Sequence, residues 1–352
     1  MQNRRRWHLP LVDFVPIFYV FKTYKHKISV MKAVKVIGFI LLGLLIIVAA
    51  AGTYVKVALP DTGAAPQIKI ERTAERIKRG EYLANNVSVC MDCHSTKDKS
   101  LYGGPVVGGL GAGGEMFDQQ MGLPGKFYAS NITPYKLTSW TDGEIFRALT
   151  TGENKFGNAI FPLMPWDHIG QMDKEDVYSI IAYLRSIPAI KKDIPAPEIN
   201  FPVNFLINTM PHKANLGKLP TENDTVNYGA YLVNAAACVD CHSKRYHGDI
   251  IPGTEFGGGM EFKQQGGTVY SANITPDTLT GIGSWSKDVF IQRFKGFEGK
   301  EKRAAKLNPG DPQIPMPWYL YAGMKPNDLA AIYAYLRTVK PINNQVIRFQ
   351  KF

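Results

Sequence analysis

The sequence predicts an all-α fold in which two similar modules, each about 120 residues long, follow one membrane-spanning helix. Three observations support this: a long internal repeat, apolar residues at helical spacing near the end of each half, and a charge-free run near the N-terminus. The predicted segments are a basic cytoplasmic tail (1–35), a transmembrane helix (36–57), a stalk (58–72), module one (73–190), a linker (191–227) and module two (228–352).

The internal repeat is visible as short motifs that recur in the same order in both halves. Residues 128–134 match 270–276, residues 163–166 match 315–318, and residues 182–185 match 334–337. Trp140 also matches Trp285. Because several separate motifs recur in register, the sequence predicts two copies of one structural unit.

The charge-free run covers residues 36–55, which at about 1.5 Å per residue is enough to span a hydrocarbon core about 30 Å thick. Lys32 and Lys35 lie on its N-terminal side, so the positive-inside rule places the N-terminus in the cytoplasm and the modules in the periplasm. A cleaved signal peptide with residues 49–51 as its cleavage site is the alternative. The apolar run continues beyond those alanines, which favours an uncleaved, single-pass anchor in the inner membrane.

The net charge of +11 is concentrated in the predicted tail. Residues 1–35 hold eight Lys or Arg and one acidic residue, giving +7 and leaving about +4 for the rest. The modules show no basic stripe interleaved with aromatic residues, so a nucleic-acid partner is not expected. Met31 begins a conventional targeting segment, and the sequence leaves open whether residues 1–30 are translated.

Each module is predicted to begin and end with a helix. In module one the first helix runs from Thr73 to about Val89, and the last has Asp173 as its N-cap and apolar residues at i, i+3, i+4 and i+7. Gly80 lowers the helix propensity of the first helix, which predicts close approach of the last helix at that point. Residues 103–126 predict a glycine-rich loop, and Thr141 with Glu144 predicts a capping box.

All four cysteines of the chain lie in two copies of one five-residue pattern, Cys-x-x-Cys-His, at residues 90–94 and 238–242. This pattern is typical of covalent haem c attachment. Residues three apart share a helix face, so both thiols can reach vinyl groups on one edge of a porphyrin while the histidine binds the iron. The sequence predicts two covalently bound haem c groups, and their predicted ligands are Cys90, Cys93 and His94 in module one and Cys238, Cys241 and His242 in module two.

Three other interpretations use the same cysteines. A thioredoxin-like pair requires a βαβ surround, whereas these pairs lie among glycine-rich loops and short helices. A zinc site is possible in principle, but the pairs are 148 residues apart and each has its own histidine. Disulfides between cysteines three residues apart on a helix are strained.

The sixth iron ligand decides between electron transfer and catalysis. Met164 and Met316 are the leading candidates, because both lie at equivalent places before the last helix and a thioether favours ferrous iron. His168 and Met172 in module one and Met324 in module two are the alternatives.

A ligating histidine normally donates its second ring N–H to a carbonyl, and Pro105 and Pro252 are the predicted acceptors. Asn131 and Asn273 predict either haem-propionate contacts or a turn. The same two interpretations apply to Tyr128, Tyr270, Trp140 and Trp285.

Together, the Cys-x-x-Cys-His, Met-Pro-Trp and Ala-Tyr-Leu-Arg motifs resemble class I cytochrome c in tandem. The Asn-Ile-Thr-Pro segment, the Trp and the Met-Pro segment are shared with cytochrome c subunits of membrane-bound alcohol and gluconate dehydrogenases. The resemblance covers residues 75–190 and 225–342 and implies a His/Met-ligated haem c in each module. Those subunits usually carry three haem modules, whereas this chain has two and an anchor, so the resemblance leaves the dehydrogenase partner open.

These features predict an electron-transfer protein rather than an enzyme: a membrane-anchored di-haem cytochrome. It is expected to pass electrons between a respiratory dehydrogenase or quinol-oxidising complex and a downstream acceptor such as a terminal oxidase. A di-haem peroxidase is the alternative, but the near-identical Met164 and Met316 segments speak against one iron keeping an open site. A haem-based sensor is a weaker alternative, because no output domain is visible in the sequence.

Overall fold

The structure is a computed structural model that describes residues 17–246 and 248–352, with side chains from residue 31 onward. It divides into two units, Met1–Ala58 and Leu59–Phe352. The first sixteen residues of the predicted basic tail lie outside the described residues, as does His247.

The described part of the first unit forms one helix, α1 (Ile17–Val57), of 41 residues. It extends the predicted membrane helix backwards through more than half of the segment predicted as a tail. The extension is physically reasonable, because no proline or glycine occurs between Pro16 and Gly38. Within it, Met31–Val57 is long and apolar enough to cross a membrane.

The second unit contains the repeated modules and most of the described helices. In its first half the helices are α2 (Ala74–Tyr82), α3 (Cys90–Cys93), α4 (Pro134–Leu137), α5 (Asp142–Thr151), α6 (Trp166–Ile169) and α7 (Lys174–Ser186). In its second half they are α8 (Val203–Leu206), α9 (Thr225–Ala235), α10 (Cys238–Cys241), α11 (Lys287–Lys295), α12 (Trp318–Tyr321) and α13 (Pro326–Leu336).

The prediction of an all-α class is not confirmed, because short antiparallel sheets lie among the helices. Their strands are β1 (Thr96–Lys97), β2 (Val106–Gly108), β3 (Met116–Phe117), β4 (Gly125–Tyr128), β5 (Glu198–Ile199), β6 (Arg245–Tyr246), β7 (Asp249–Ile250), β8 (Glu261–Gln264), β9 (Gly267–Tyr270) and β10 (Phe349–Lys351). The sheet orders are β1-β2, β3-β4-β5, β6-β7 and β10-β9-β8. The strands pair over only two to four residues. This is too short to produce the alternating pattern of apolar and polar residues by which strands are recognised in a sequence.

The close approach predicted at Gly80 is confirmed. A Cβ atom at this position would lie 1.8 Å from the carbonyl oxygen of Ser179 in α7. Gly229 in α9 meets Ala331 in α13 in the same way, with a Cβ distance of 2.0 Å. In both modules glycine therefore lets the first helix pack directly on the backbone of the last helix.

The predicted helix caps are also confirmed. Asp173 accepts a hydrogen bond as the N-cap of α7, and Thr141 forms the capping box with Glu144 at α5. Thr73, the residue at which the first helix is predicted to begin, accepts a hydrogen bond as the N-cap of α2. The first helix of module one is shorter than predicted, because a π-helical turn, Leu83–Val87, follows Tyr82.

The π turn explains a difference in length between the two modules. Seven residues lie between Tyr82 and Cys90, but only six lie between the matching Tyr231 and Cys238. A π turn accommodates one extra residue within a helix. Counted back from the cysteines, Asn86 and Asn234 are therefore equivalent residues.

The segments predicted as stalk and linker belong to the folded second unit. In the stalk, the Thr62 backbone N–H and hydroxyl donate to the buried Glu153 carboxylate, at 3.2 and 2.7 Å. Ile70 is buried, and its N–H donates to Asp142. In the linker, β5 pairs with β4 of module one. The linker therefore does not act as a free spacer that separates the two modules.

Two reciprocal hydrogen bonds join the modules. The Tyr82 hydroxyl of module one donates to Asp328 at 2.5 Å, and the matching Tyr231 hydroxyl of module two donates to Asp176 at 2.6 Å. Both carboxylates are buried, with exposures of 1% and 4%. Arg79 also pairs with Asp176, through bonds of 2.8 and 2.7 Å. One hydrophobic core runs through both modules around these contacts.

Candidate haem sites

The two Cys-x-x-Cys segments form matching single helical turns, α3 and α10. Each turn follows a residue in the left-handed region, Val89 (φ 41°) or Ala237 (φ 50°). Left-handed backbone is unusual for these residue types. Because it occurs at the same position in both segments, it indicates that the conformation is part of the site. All four cysteines are free thiols, as covalent haem attachment requires.

Each candidate histidine ligand is oriented by a backbone carbonyl. Nδ1 of His94 lies 2.6 Å from the Ser130 carbonyl oxygen, and Nδ1 of His242 lies 2.7 Å from the Ala272 carbonyl oxygen. Since a carbonyl only accepts, Nδ1 carries the proton and the Nε2 lone pair is free for iron. Burial lowers the pKa of both histidines and so favours the neutral, metal-binding form.

The predicted acceptors for these N–H groups were wrong. The Pro105 carbonyl instead accepts from the Asp98 N–H at 3.0 Å, and Pro252 makes no contact with His242 among the hydrogen bonds described. The acceptors in the structure, Ser130 and Ala272, lie 36 and 30 residues after His94 and His242. Because of this separation, no local sequence signal pointed to them.

The Ser130 and Ala272 carbonyls are positioned alike in the two modules, because each is followed by the same Asn-Ile-Thr-Pro turn. The Asn131 side-chain oxygen accepts from the Thr133 N–H and hydroxyl, while its amide donates to the Ile190 and Lys192 carbonyls. Asn273 makes the same bonds to Thr275 and donates to the Ile342 carbonyl. The turn interpretation is confirmed. Asn131 has no donor left for a haem propionate.

The candidate sixth ligands lie in matching Met-Pro-Trp turns. In each turn the backbone N–H of the tryptophan donates to the backbone carbonyl of the methionine at 2.8 Å. These pairs are Trp166 with Met164 and Trp318 with Met316. Both methionines are only partly buried and pack against the core. Met172 and Met324, by contrast, are 0% and 1% exposed. Met324 therefore packs in the core just before the last helix.

His168 lies at the contact between the modules and is not available to iron. Its Nδ1 is 2.8 Å from Oδ1 of Asn234 and its Nε2 is 3.1 Å from Oδ2 of Asp240, both in module two. Burial opposes a charge on His168, but the hydrogen bond and charge of Asp240 raise its pKa. With both ring nitrogens engaged, the alternative assignment of His168 as an iron ligand is not supported.

Two buried polar atoms beside these motifs have no hydrogen-bond partner. The Trp318 indole N–H lies two residues after Met316, and the Ser88 hydroxyl lies two residues before Cys90. The matching Trp166 N–H donates to the Ile160 carbonyl at 3.0 Å. Unpartnered buried polar groups are costly, so their presence fits a site that a polar cofactor group completes. The residues present therefore fit a haem in each module.

The zinc interpretation of the cysteines is not supported. Among the residues that the structure describes, no group of three or more His, Cys, Asp or Glu side chains is arranged to hold a metal ion.

A comparison with known protein families finds a match within the second half of the chain. Residues 226–340 match the cytochrome c family model. The matched region contains the second Cys-x-x-Cys-His motif, Met316 and α13. This part of the chain is therefore similar to cytochrome c domains, which carry covalently bound haem c.

The chain as a whole is similar to cytochrome c subunits of dehydrogenases. It is 29% identical over 282 residues to the fructose dehydrogenase cytochrome subunit of Gluconobacter japonicus, an alignment covering 75% of this chain and 52% of that one. It is 26% identical over 235 residues to the cytochrome c subunit of alcohol dehydrogenase (quinone) of Gluconobacter oxydans, covering 62% and 46%. The chain thus spans about half the length of these relatives.

A third relative is similar in size. The chain is 25% identical over 270 residues to a diheme cytochrome c-type protein of Cereibacter sphaeroides, covering 72% of this chain and 82% of that one.

Proposed function

We propose that the protein is a membrane-anchored electron carrier with one covalent haem c in each module. The observation that carries the proposal is the duplicated attachment turn, in which a carbonyl holds Nδ1 of the histidine and leaves Nε2 free. The similarity to dehydrogenase cytochrome c subunits supports the electron-transfer role. The diheme relative supports the number of two.

The residues have separate roles in this proposal. Cys90 and Cys93 in module one, and Cys238 and Cys241 in module two, bind the haem edges through thioether bonds. His94 and His242 would supply an imidazole nitrogen to the irons, and Met164 and Met316 would supply a thioether sulfur. The bound haem supplies one-electron redox chemistry. If these four residues hold the irons, neither iron would keep an open site for a substrate, as a carrier requires and a peroxidase does not.

The proposed partners follow from the relatives. Because these are named as subunits of fructose and alcohol dehydrogenases, we propose a dehydrogenase or a quinol-oxidising complex as electron donor. A terminal oxidase is the proposed downstream acceptor. Neither partner is a nucleic acid in this proposal, since the charge outside the tail is only about +4.

The proposed location is the inner membrane, with the modules in the periplasm. The apolar helix segment Met31–Val57 and its lysine flank support an uncleaved anchor. N-terminal sequencing of the mature protein is expected to find the residues before Ala51 present. A mature protein beginning at Gly52 would contradict the anchor.

Two covalent haems per chain are expected. The mass of the denatured protein should exceed that of the polypeptide by two haems, and the pigment should resist acid–organic extraction because thioether bonds survive it. Cys93→Ala should weaken attachment of the first haem, and Cys241→Ala that of the second, each leaving the other haem in place. Complete loss of pigment on extraction, or a mass increase of one haem, would contradict this.

Met316→Ala is expected to open the second iron. The unmutated reduced protein should be low-spin and unreactive toward carbon monoxide, whereas the variant should bind one carbon monoxide per chain. The second haem's potential should fall, since the thioether favours ferrous iron. Met164→Ala should do the same at the first haem, as measured by carbon monoxide titration and potentiometry.

Met324→Ala is the matched control, because Met324 is fully buried in the core and should affect stability without opening either iron. Carbon monoxide binding by the unmutated protein at one haem per chain would contradict the carrier proposal. An unchanged second haem in Met316→Ala would show that Met316 is not the ligand.

A further inference from the structure

A loop of module one lies against the segment of module two that leads to Met316. The loop, residues 95–104, directly follows His94. The Tyr102 N–H donates to the Ala305 carbonyl at 2.8 Å, and the Leu307 N–H donates to the Ser100 carbonyl at 2.8 Å. The Tyr319 hydroxyl, beyond Met316, donates to the Tyr102 carbonyl at 3.1 Å. Module one therefore contacts this segment on both sides of Met316.

The side chain of Gln313, three residues before Met316, lies at the centre of this contact. Its amide nitrogen donates to the carbonyls of Leu101 (2.7 Å) and Lys99 (3.1 Å). Its amide oxygen accepts from the Gly103 N–H at 2.7 Å and from the Ile314 N–H at 3.0 Å. Both amide hydrogens and both acceptor positions are therefore used, three of the four by the loop of module one.

The backbone of Gln313 is held from the other side by its own module. Its N–H donates to Oε1 of Gln264 at 2.8 Å, and the Gln264 amide donates back to the Gln313 carbonyl. Gln264 is the last residue of β8. Gln313 thus lies between a strand of module two and the haem-attachment loop of module one.

The opposite contact joins the Met164 segment to the other attachment turn. His168, four residues after Met164, binds Asp240 inside the Cys-Val-Asp-Cys turn of module two. The Asn234 amide donates to the His168 carbonyl at 3.0 Å, and the equivalent Asn86 amide donates to the Leu320 carbonyl at 2.8 Å. The methionine segment of each module therefore lies against the haem-attachment region of the other.

We propose that Gln313 is a positioning residue for Met316, through which the attachment loop of module one holds the sixth ligand of the second haem. Residues 304–315 form no helix and only one isolated bridge, between Lys306 and Leu101. The backbone bonds to the loop hold the segment at Ala305 and Leu307, whereas nearer to Met316 it is the Gln313 side chain that binds the loop. A ligand whose supporting contacts are removed is displaced more easily. The inference rests on the proposed role of Met316 as iron ligand.

The test uses the full-length holoprotein with Gln313→Ala. Exogenous imidazole should replace Met316 about tenfold more readily at the second haem, as expected for the loss of one or two net hydrogen bonds. Proton NMR of the reduced protein should show the signal of the Met316 methyl group shifted or broadened and that of Met164 unchanged. The Met164→Ala and Met316→Ala variants assign the two signals. A change confined to the second haem supports positioning, because general destabilisation would affect both.

Asn308→Ala is the matched control, since among the described residues the Asn308 side chain bonds only within the same segment, to Asp311 at 3.0 Å. It should leave imidazole binding unchanged. If Gln313→Ala does not fold, Gln313→Glu keeps the side-chain length and the acceptor oxygen but lacks both donors, and the same result is expected.

Two outcomes would overturn the inference, and they are distinguishable. If the Gln313 variant binds imidazole like Asn308→Ala while Met316→Ala opens the second iron, the positioning role fails and the ligand assignment stands. If Met316→Ala leaves the second haem unchanged, the ligand assignment fails and the inference fails with it.

Discussion

The two buried carboxylates at the contact between the modules constrain the rest of the second unit. Burying a carboxylate is costly unless hydrogen bonds or a cation compensate. Asp328 takes a tyrosine hydroxyl from each module, Tyr82 and Tyr228, and Asp176 takes Tyr231 from module two together with Arg79 from module one. Neither module supplies all the partners of its own carboxylate. Asp176 and Asp328 therefore keep all their hydrogen bonds only while the two modules stay together.

This constraint also fixes the two candidate haem sites relative to each other. The tyrosines and carboxylates lie on the first and last helices, and the same first helices lead directly into the attachment turns. Fixing the helices therefore fixes the turns, and it brings each Met-Pro-Trp segment against the other module. The arrangement suits electron transfer between two haems, which depends on their separation and orientation staying constant.

Much of the site could be predicted from the sequence because its signals are local. The Cys-x-x-Cys-His turns and the caps at Thr141 and Asp173 depend on residues within one or two helical turns of each other. The close approach at Gly80 was signalled locally, by a glycine inside a helical pattern. The histidine acceptors could not be found this way, because a backbone carbonyl carries no residue signature and any residue supplies one. The contacts of Gln313 and His168 were missed for a second reason: they join the modules, whereas the repeat was interpreted as two independent units joined by a linker.

We infer that the second unit holds the two proposed haems at a fixed separation, because one hydrophobic core runs through both modules. Pulsed dipolar electron paramagnetic resonance on the fully oxidised protein measures the coupling between the two low-spin ferric irons. One narrow distance distribution is predicted, and it should broaden when Tyr82 and Tyr231 are both changed to Phe. A broad distribution in the unmutated protein, or no dipolar coupling at all, would contradict the account.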